Sequence, residues 1–257
     1  MCITVKQMMQ IEENGHQMGF SRKFMMENAG AAATKRLVEK FGDVKSKNVL
    51  VFAGLGNNGG DALVMARHLA GHGAKVKVLL LGCPENIKTE ESKWNWSILE
   101  KMLEMRKSIS KLPSVHIMSL TEFEADLKGW RDDVSHPNAT DLEMSWTELP
   151  DYLVDVEHEP DIIVDGILGT GITGEIREPF SKAINRFNDS FTCFKFAVDV
   201  PSGLDPQTGE TSNICTECDM TVTFHRMKVG MPKRKDVCGE IFVEKIGIPP
   251  EAEDGVL

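Results

Sequence analysis

The sequence of 257 residues lacks any apolar run long enough to cross a membrane. No stretch approaches about 18 consecutive apolar residues, the length that a membrane-spanning helix needs. The first ten residues carry neither a basic leader nor a long apolar core. The sequence therefore predicts neither a membrane span nor a secretory signal, and we expect a cytoplasmic protein.

A stripe of basic residues is also missing. The 29 Lys and Arg residues are outnumbered by 39 Asp and Glu residues, and the formal net charge is −10 at pH 7. Proteins that bind the phosphate backbone of nucleic acids usually present a basic face. We therefore expect no nucleic-acid partner, and the missing apolar run likewise predicts no membrane partner.

Cysteine is too sparse for a disulfide scaffold, because only six cysteines are scattered along a long chain. Cys215 and Cys218 form a CxxC pair, with His225 and Cys238 downstream. The spacing does not match a known zinc pattern, so reduced thiols are favoured over a zinc site.

Strand and helix patterns alternate along most of the chain. Short apolar runs typical of strands lie at 48–53, 75–81, 114–119, 161–165, 194–199, 220–224 and 240–245. Helical patterns lie at 5–18, 24–41, 61–69, 90–107 and 178–187. The alternation predicts a single α/β domain over 1–257, with a doubly wound, mostly parallel sheet and a site at the carboxyl ends of its strands.

Two details of this pattern can be checked against a structure. In the helix at 90–107, Trp94, Ile98, Met102 and Met105 are predicted to form one apolar stripe. At 122–160 the pattern degrades into acidic residues, prolines and isolated tryptophans, which predicts an irregular insertion with a helix or two.

The strongest local signal is the segment GLGNNGGD at 54–61, between a predicted strand and a predicted helix. Glycines permit close approach of the backbone, and free N–H groups at a helix start can bind phosphate. The segment is neither a P-loop nor a proper dinucleotide fingerprint, so hydride transfer is disfavoured. A tight turn without a ligand is the plain alternative.

Two further strand ends carry carboxylates and glycines, in DGILGTGITG at 165–174 and DVPSGLD at 199–205. A single Asp at such a place could be a helix cap or an Asx-turn. Three such ends in one sheet favour a shared ligand crevice. Asn58, Asp165 and Ser202 supply oxygen donors, which suit an alkali or alkaline-earth cation.

These segments resemble a known family. AGLGNNGGDALVMARHL, VDGILGTGITGEIREPF and VDVPSGLDPQTGE occur in order with MMENAG, TVTFHRMKVGM and EKIGIP, over 6–249. Together they are similar to the YjeF N-terminal domain family, whose characterised enzymes are NAD(P)HX epimerases. The chain ends where bifunctional relatives continue into a dehydratase, so we expect no dehydratase domain.

The resemblance implies a three-layer αβα Rossmann-like fold, a homodimer and a bound potassium ion. It implies that the potassium would be held by Asn58, Asp165 and Ser202. The residues implied to contact the hydrated dinucleotide are Asn57, Asn58, Gly59, Gly60, Asp61, Gly169, Thr170, Gly171, Ile172, Thr173, Gly174, Glu175 and Asp199. The sequence departs from the family pattern at two places. Ala62 stands where the family usually has a glycine, and residues 225–227 replace smaller residues.

The implied reaction is epimerisation of the R and S forms of hydrated NADH or NADPH at C6, a metabolite-repair step. A carboxyl group would protonate the leaving hydroxyl, and Asp199 is the first candidate, with Asp61 as the alternative. A non-catalytic nucleotide-sensing or protein-interaction module of the same fold stays open as a second function. The preference between NADHX and NADPHX also stays open.

Overall fold

The computed structural model describes residues 1–106, 109, 112, 115–119, 160–171, 174–190 and 192–257. Almost all of the predicted insertion at 122–160 lies outside the described residues. Ile172 and Thr173, two of the predicted substrate contacts, lie outside them as well.

The described residues contain six helices and seven strands. The helices are α1 (Val5–Gln17), α2 (Arg22–Phe41), α3 (Asn57–Gly71), α4 (Glu90–Arg106), α5 (Phe180–Asn188) and the short α6 (Lys235–Cys238). The strands are β1 (Asn48–Ala53), β2 (Lys75–Leu80), β3 (Val115–Ser119), β4 (Ile162–Gly166), β5 (Phe194–Val198), β6 (Met220–Phe224) and β7 (Glu240–Glu244).

The strands form one sheet in the order β3-β2-β1-β4-β5-β6-β7, and every pairing in it is parallel. The predicted doubly wound α/β fold is confirmed. Chain order reverses between β1 and β4, which are neighbours in the sheet. In such sheets ligands bind outside the carboxyl ends of the strands at this switch point.

Helices cover both faces of the sheet, which gives three layers. Alternate residues of β1 belong to different cores, with Val51 packed on the α2 and α3 side and Phe52 on the α5 side. The ring of Phe52 meets that of Phe187 edge to face at 6.0 Å. Central parallel strands are buried on both faces, which explains their nearly continuous apolar runs.

Two helix predictions were inaccurate. Helix α3 begins at Asn57 rather than at residue 61, because Gly56 ends the loop after β1 in extended conformation and acts as the N-cap. The predicted apolar stripe of α4 was wrong, since Trp94 and Met105 are 41% and 66% exposed. The buried face instead carries Trp96 and Leu99.

Segments near the two ends of the chain pack together. Ile3 forms a parallel bridge with Lys228, and the capping box of Thr4 and Gln7 starts α1. Side chains of α1 also reach the last residues, since Asn14 donates to the carbonyl of Ala252 at 2.9 Å. No helix among the described residues is both long and apolar enough to span a bilayer.

Candidate active site at the switch point of the sheet

A cleft of about 740 Å³ opens at the switch point of the sheet. The loops after β1 and β4 form its floor, α1 and α2 form one wall, and residues after β5 and β6 complete it. The predicted site residues that line it are Asn57, Asn58, Gly59, Asp61, Gly169, Thr170, Gly171, Glu175 and Asp199. The fold therefore brings the predicted substrate contacts together, apart from four of them, while the predicted potassium ligands Asp165 and Ser202 are fully buried and do not line the cleft.

Those four residues fall into two pairs. Gly60 does not line the cleft, because its Cα faces Met26 and the hydroxyl of Ser92, and an added Cβ would lie 2.3 Å from that oxygen. Gly174 lies beyond the lining residues, with its carbonyl accepting from the Ser212 hydroxyl at 3.0 Å. Ile172 and Thr173 are outside the described residues.

The glycines of the loop after β1 allow two loops to touch. A Cβ on Gly54 would lie 1.9 Å from the carbonyl oxygen of Ile167, and one on Gly59 would lie 1.9 Å from that of Gly54. Neither glycine has a positive φ angle. They are needed for close backbone packing, which sets the floor of the cleft.

The start of α3 offers free N–H groups to the cleft. Its N-cap, Gly56, has no side chain that could accept a hydrogen bond from the first turn. The residues of that turn that line the cleft are Asn57, Asn58 and Gly59. Unpaired amides and the positive end of the helix dipole make this a suitable place for an anionic phosphate.

Asp165, at the end of β4, is fully buried and accepts four hydrogen bonds. Its oxygens accept from the Ser202 hydroxyl at 2.5 Å, the Ser202 amide at 2.8 Å, the Thr216 hydroxyl at 2.6 Å and the Ile167 amide at 3.0 Å. Burial raises the pKa of Asp165, while these hydrogen bonds oppose the rise.

Asn58 lies next to this carboxylate network. Its amide nitrogen donates to the carbonyl of Leu168 at 2.9 Å, and the Leu168 amide donates to the Ser202 hydroxyl at 2.8 Å. The side-chain oxygen of Asn58 is buried and finds no hydrogen-bond donor in the described part of the chain. A buried oxygen without a donor is an unusual arrangement that a cation could satisfy.

Asp199 follows β5 in a left-handed backbone conformation, with φ of +61°. Its Oδ1 accepts from the Thr223 hydroxyl at 3.0 Å, the Phe224 amide at 3.1 Å and the ammonium group of Lys228. Lys228 is 1% exposed and also donates to Thr223 at 2.8 Å. These contacts fix one carboxylate oxygen of Asp199 and leave Oδ2 without a donor among the described residues.

Two further carboxyl groups, Asp61 on α3 and Glu12 on α1, line the same cleft. Burial raises the pKa of Asp61 well above its usual value, and the charges of Asp199 and Glu12 raise it further. Burial and the charge of Asp199 likewise raise the pKa of Glu12 to about 7, against lowering by Lys228 and Arg22. The site therefore combines a fixed ion pair with two carboxyl groups that bind protons readily.

Sequence reasoning missed Glu12 and the role of Lys228. A helical signal for Glu12 was available, because Met8, Ile11 and Gly15 are buried on α1 and place residue 12 on the same face. Lys228 gave no such signal, since only the folded structure brings it beside Asp199.

The two departures from the family pattern lie away from the cleft lining. Ala62 is fully buried, and its methyl group lies 2.3 Å from where a Cβ on Gly166 would be. The methyl therefore fills space against β4 rather than narrowing the phosphate approach. His225 and Arg226 bind Glu253, with His225 Nε2 2.7 Å from its carboxylate, and so hold the C-terminal segment.

Cys218 and Cys238 are buried, and Cys215 is partly buried. Burial raises the pKa of Cys215 and of Cys238 to about 12, and that of Cys218 well above its usual value. Within the parts of the chain that the structure describes, no three His, Cys, Asp or Glu side chains are grouped to hold a metal ion.

The sequence and fold were compared with known proteins. The protein named NAD(P)H-hydrate epimerase of Nitrosopumilus maritimus is 62% identical over 255 residues, which cover 99% of each chain. The protein of the same name from Cenarchaeum symbiosum is 54% identical over 257 residues, the whole of both chains. The crystal structure of yeast YNL200c matches with a TM-score of 0.71 and 25% identity, over 98% of this chain and 91% of that one.

The family model described as "YjeF-related protein N-terminus" matches residues 22–230. This range contains all three glycine-rich strand ends and Lys228, although Glu12 lies before it. The resemblance read from the motifs is thereby confirmed, and the chain belongs to the YjeF-related N-terminal family.

Proposed function

We propose that this protein is an isomerase that interconverts the R and S forms of hydrated NADH and NADPH at C6 of the nicotinamide ring. The observation that carries the proposal is the meeting of Asp61 and Asp199, in unlike environments, in a cleft beside glycine-lined loops. Two relatives that match over almost their whole length are named NAD(P)H-hydrate epimerase, which supports the same activity.

The dinucleotide would lie across the switch point of the sheet. Its diphosphate would accept hydrogen bonds from the first turn of α3, at residues 57–59, and contact Gly169 and Gly171 in the loop after β4. Thr170 and Glu175 would contact neighbouring parts of the same ligand. With the diphosphate placed there, the cleft extends toward Asp61, Asp199 and Lys228, where the nicotinamide would lie.

The chemistry needs proton transfer but no redox cofactor. The hydroxyl on C6 leaves with a proton as water, while the lone pair of the ring nitrogen forms an iminium ion. Water then adds to C6 from the opposite face and loses a proton. One group must therefore give a proton, and another must take one, across the plane of the ring.

Asp61 and Asp199 suit these two tasks. Because burial raises the pKa of Asp61, its carboxyl binds a proton more readily than an ordinary aspartate and can protonate the leaving hydroxyl. Asp199, paired with Lys228, supplies a carboxylate whose Oδ2 can accept a proton from the incoming water. The environments thus favour Asp61 as the acid, the reverse of the preference drawn from the sequence.

A potassium ion at the floor of the cleft is part of this proposal. The donor set fits, because the buried Asn58 oxygen lacks a donor among the described residues and the Ser202 hydroxyl and Leu168 carbonyl lie in the same hydrogen-bonded group. All four acceptor positions of Asp165 are taken by protein donors, so Asp165 would act mainly through its charge. When bound, the ion would supply positive charge that organises the two loops.

The family resemblance alone supports a homodimer, and a cytoplasmic location stays a prediction from the sequence. The exclusion of nucleic acid and membranes as partners stays a prediction from composition.

An epimer-interconversion assay tests the proposed function. The R form of hydrated NADH is mixed with the protein, and formation of the S form is followed by chromatography, with hydrated NADPH in parallel. We expect interconversion well above the spontaneous rate. Tight binding without any acceleration would favour the nucleotide-sensing module instead.

A further inference from the structure

Glu12 lies in the cleft but has no task in the reaction described above. It stands on the inward face of α1, between the buried residues Met8 and Gly15. Its carboxyl group has no hydrogen bond to a described residue, although both Asp61 and Asp199 act on it electrostatically. A half-buried glutamate in this position costs stability, which suggests a function.

The helix that carries Glu12 is held firmly in place. Ile3, just before α1, forms a parallel bridge with Lys228, in which its amide donates to the Met227 carbonyl at 2.8 Å and its carbonyl accepts from the Val229 amide at 3.0 Å. Within α1, Gln7 donates to the carbonyl of Val256 at 3.1 Å and Asn14 to that of Ala252 at 2.9 Å. These contacts fix α1, and with it Glu12, relative to the Asp199–Lys228 pair.

The proposed reaction requires one further proton transfer to which no residue has been assigned. Each inversion moves one proton from Asp61, which protonates the leaving hydroxyl, to Asp199, which takes a proton from the incoming water. After one turnover Asp61 is ionised and Asp199 is protonated. The same epimer cannot react again until a proton has moved back from Asp199 to Asp61.

We propose that Glu12 is the proton relay that restores Asp61 and Asp199 after each turnover. It takes the proton from Asp199 and passes it to Asp61, so that no atom is gained or lost over the cycle. Glu12 acts through the two aspartates and not on the substrate. This inference rests on the proposed epimerase function and adds a third residue to it.

The charges around Glu12 suit such a relay. Two carboxyl groups face Glu12, with Asp199 placed just after β5 and Asp61 near the start of α3. Two positive charges face it as well, with Lys228 in the segment after β6 and Arg22 at the start of α2. The pKa of Glu12, at about 7, lets both of its protonation states be populated at neutral pH. Arg22 is an exposed residue of the cleft lining, so the relay lies between the inner aspartates and solvent.

The test compares Glu12→Gln with the intact protein, using pure R-form hydrated NADH. In Glu12→Gln we expect the first turnover per site to keep its rate and the steady-state rate to fall by about tenfold or more. The reason is that only the return of the proton from Asp199 to Asp61 is lost. Added imidazole buffer should restore turnover in Glu12→Gln and leave the intact protein unaffected. Glu12→Asp, which keeps a carboxyl group, should recover part of the rate without buffer.

Glu100→Gln is the matched control, since Glu100 is an exposed glutamate of α4 that does not line the cleft. We expect it to behave as the intact protein. Unchanged steady-state turnover in Glu12→Gln would overturn the relay. So would an equal loss of the first turnover that imidazole does not restore, because that pattern indicates a structural role. If the intact protein itself does not epimerise, the proposed function fails instead.

Discussion

Two sets of carboxyl groups at one edge of the sheet differ in whether protein donors form hydrogen bonds to them. Asp165 is fully buried, yet every acceptor position on it is filled by a protein donor. Asp61 and Glu12 line an open cleft and have no hydrogen bond to a described residue. Burial raises the pKa in all three, but only Asp165 has hydrogen bonds that oppose the rise.

The contrast separates two kinds of carboxyl group. Asp165 is a holding group, which keeps the loops around it in place, whereas Asp61 and Glu12 exchange protons. A carboxylate whose acceptors are all satisfied by protein donors orders the loops around it. Carboxyl groups without donors, near another negative charge, bind protons more readily than free carboxyl groups do. We infer that the Asp165 group shapes the cleft, while the group of Asp61, Asp199 and Glu12 carries out proton transfer within it.

The largest expected effect comes from Asp199→Asn. Asparagine tolerates the left-handed backbone at this position, so the fold should be kept. Because the base is removed, we expect the epimerisation rate to fall by about 10²- to 10⁴-fold. The rate of S-form production from the pure R form measures it, and a rate within threefold of the intact protein would remove Asp199 from this role.

Asp61→Asn should lower the same rate by about 10²-fold, since the acid for the leaving hydroxyl is lost. Binding of the dinucleotide, measured by calorimetry, should change little. Asp236→Asn serves as the control, because Asp236 is an exposed aspartate paired with Arg234. If Asp61→Asn were as active as this control, Asp61 would have no part in proton transfer.

Stability should depend on pH through Glu12. Its pKa is about 7 in the folded protein and near 4.5 when unfolded, so the folded state keeps a proton that the unfolded state has released. Stability from this group is therefore full below about pH 4.5 and is lost as pH rises to about 7. Relative to the intact protein, Glu12→Gln should gain on the order of 3 kcal/mol of unfolding free energy between these pH values.

Urea unfolding of both proteins at several pH values measures this gain. The difference between them isolates Glu12 from the other titrating groups. A difference that is constant with pH would mean that folding does not raise the pKa of Glu12, and it would contradict the proposed relay.

The smallest effect tests the holding group. Thr216→Val removes one of the four donors to Asp165, and we expect a loss of about 2 kcal/mol in unfolding free energy. Thr208→Val is the control, because the hydroxyl of this exposed threonine bonds to Asp205 and to the Glu210 amide within a surface turn. Equal stabilities for the two variants would show that the hydrogen bonds to Asp165 contribute little.

The sequence predicted the sheet well, because buried parallel strands are continuous apolar runs, and its glycine-rich strand ends meet at one edge of that sheet. Motif residues such as Asp199 could be named in advance for the same reason. Glu12 and Lys228 could not, since their importance arises from packing between segments that are distant in the sequence. The apolar stripe of α4 failed because Trp94 lies over Lys23 at the surface instead of in the core.

The most direct test of the central claim is a crystal structure with hydrated NADH bound. We predict the diphosphate at the start of α3 and the C6 hydroxyl within about 3 Å of a carboxyl oxygen of Asp61 or Asp199, with the other aspartate on the opposite face of the ring. A dinucleotide bound outside the cleft, or a nicotinamide ring with both aspartates on one face, would contradict the account.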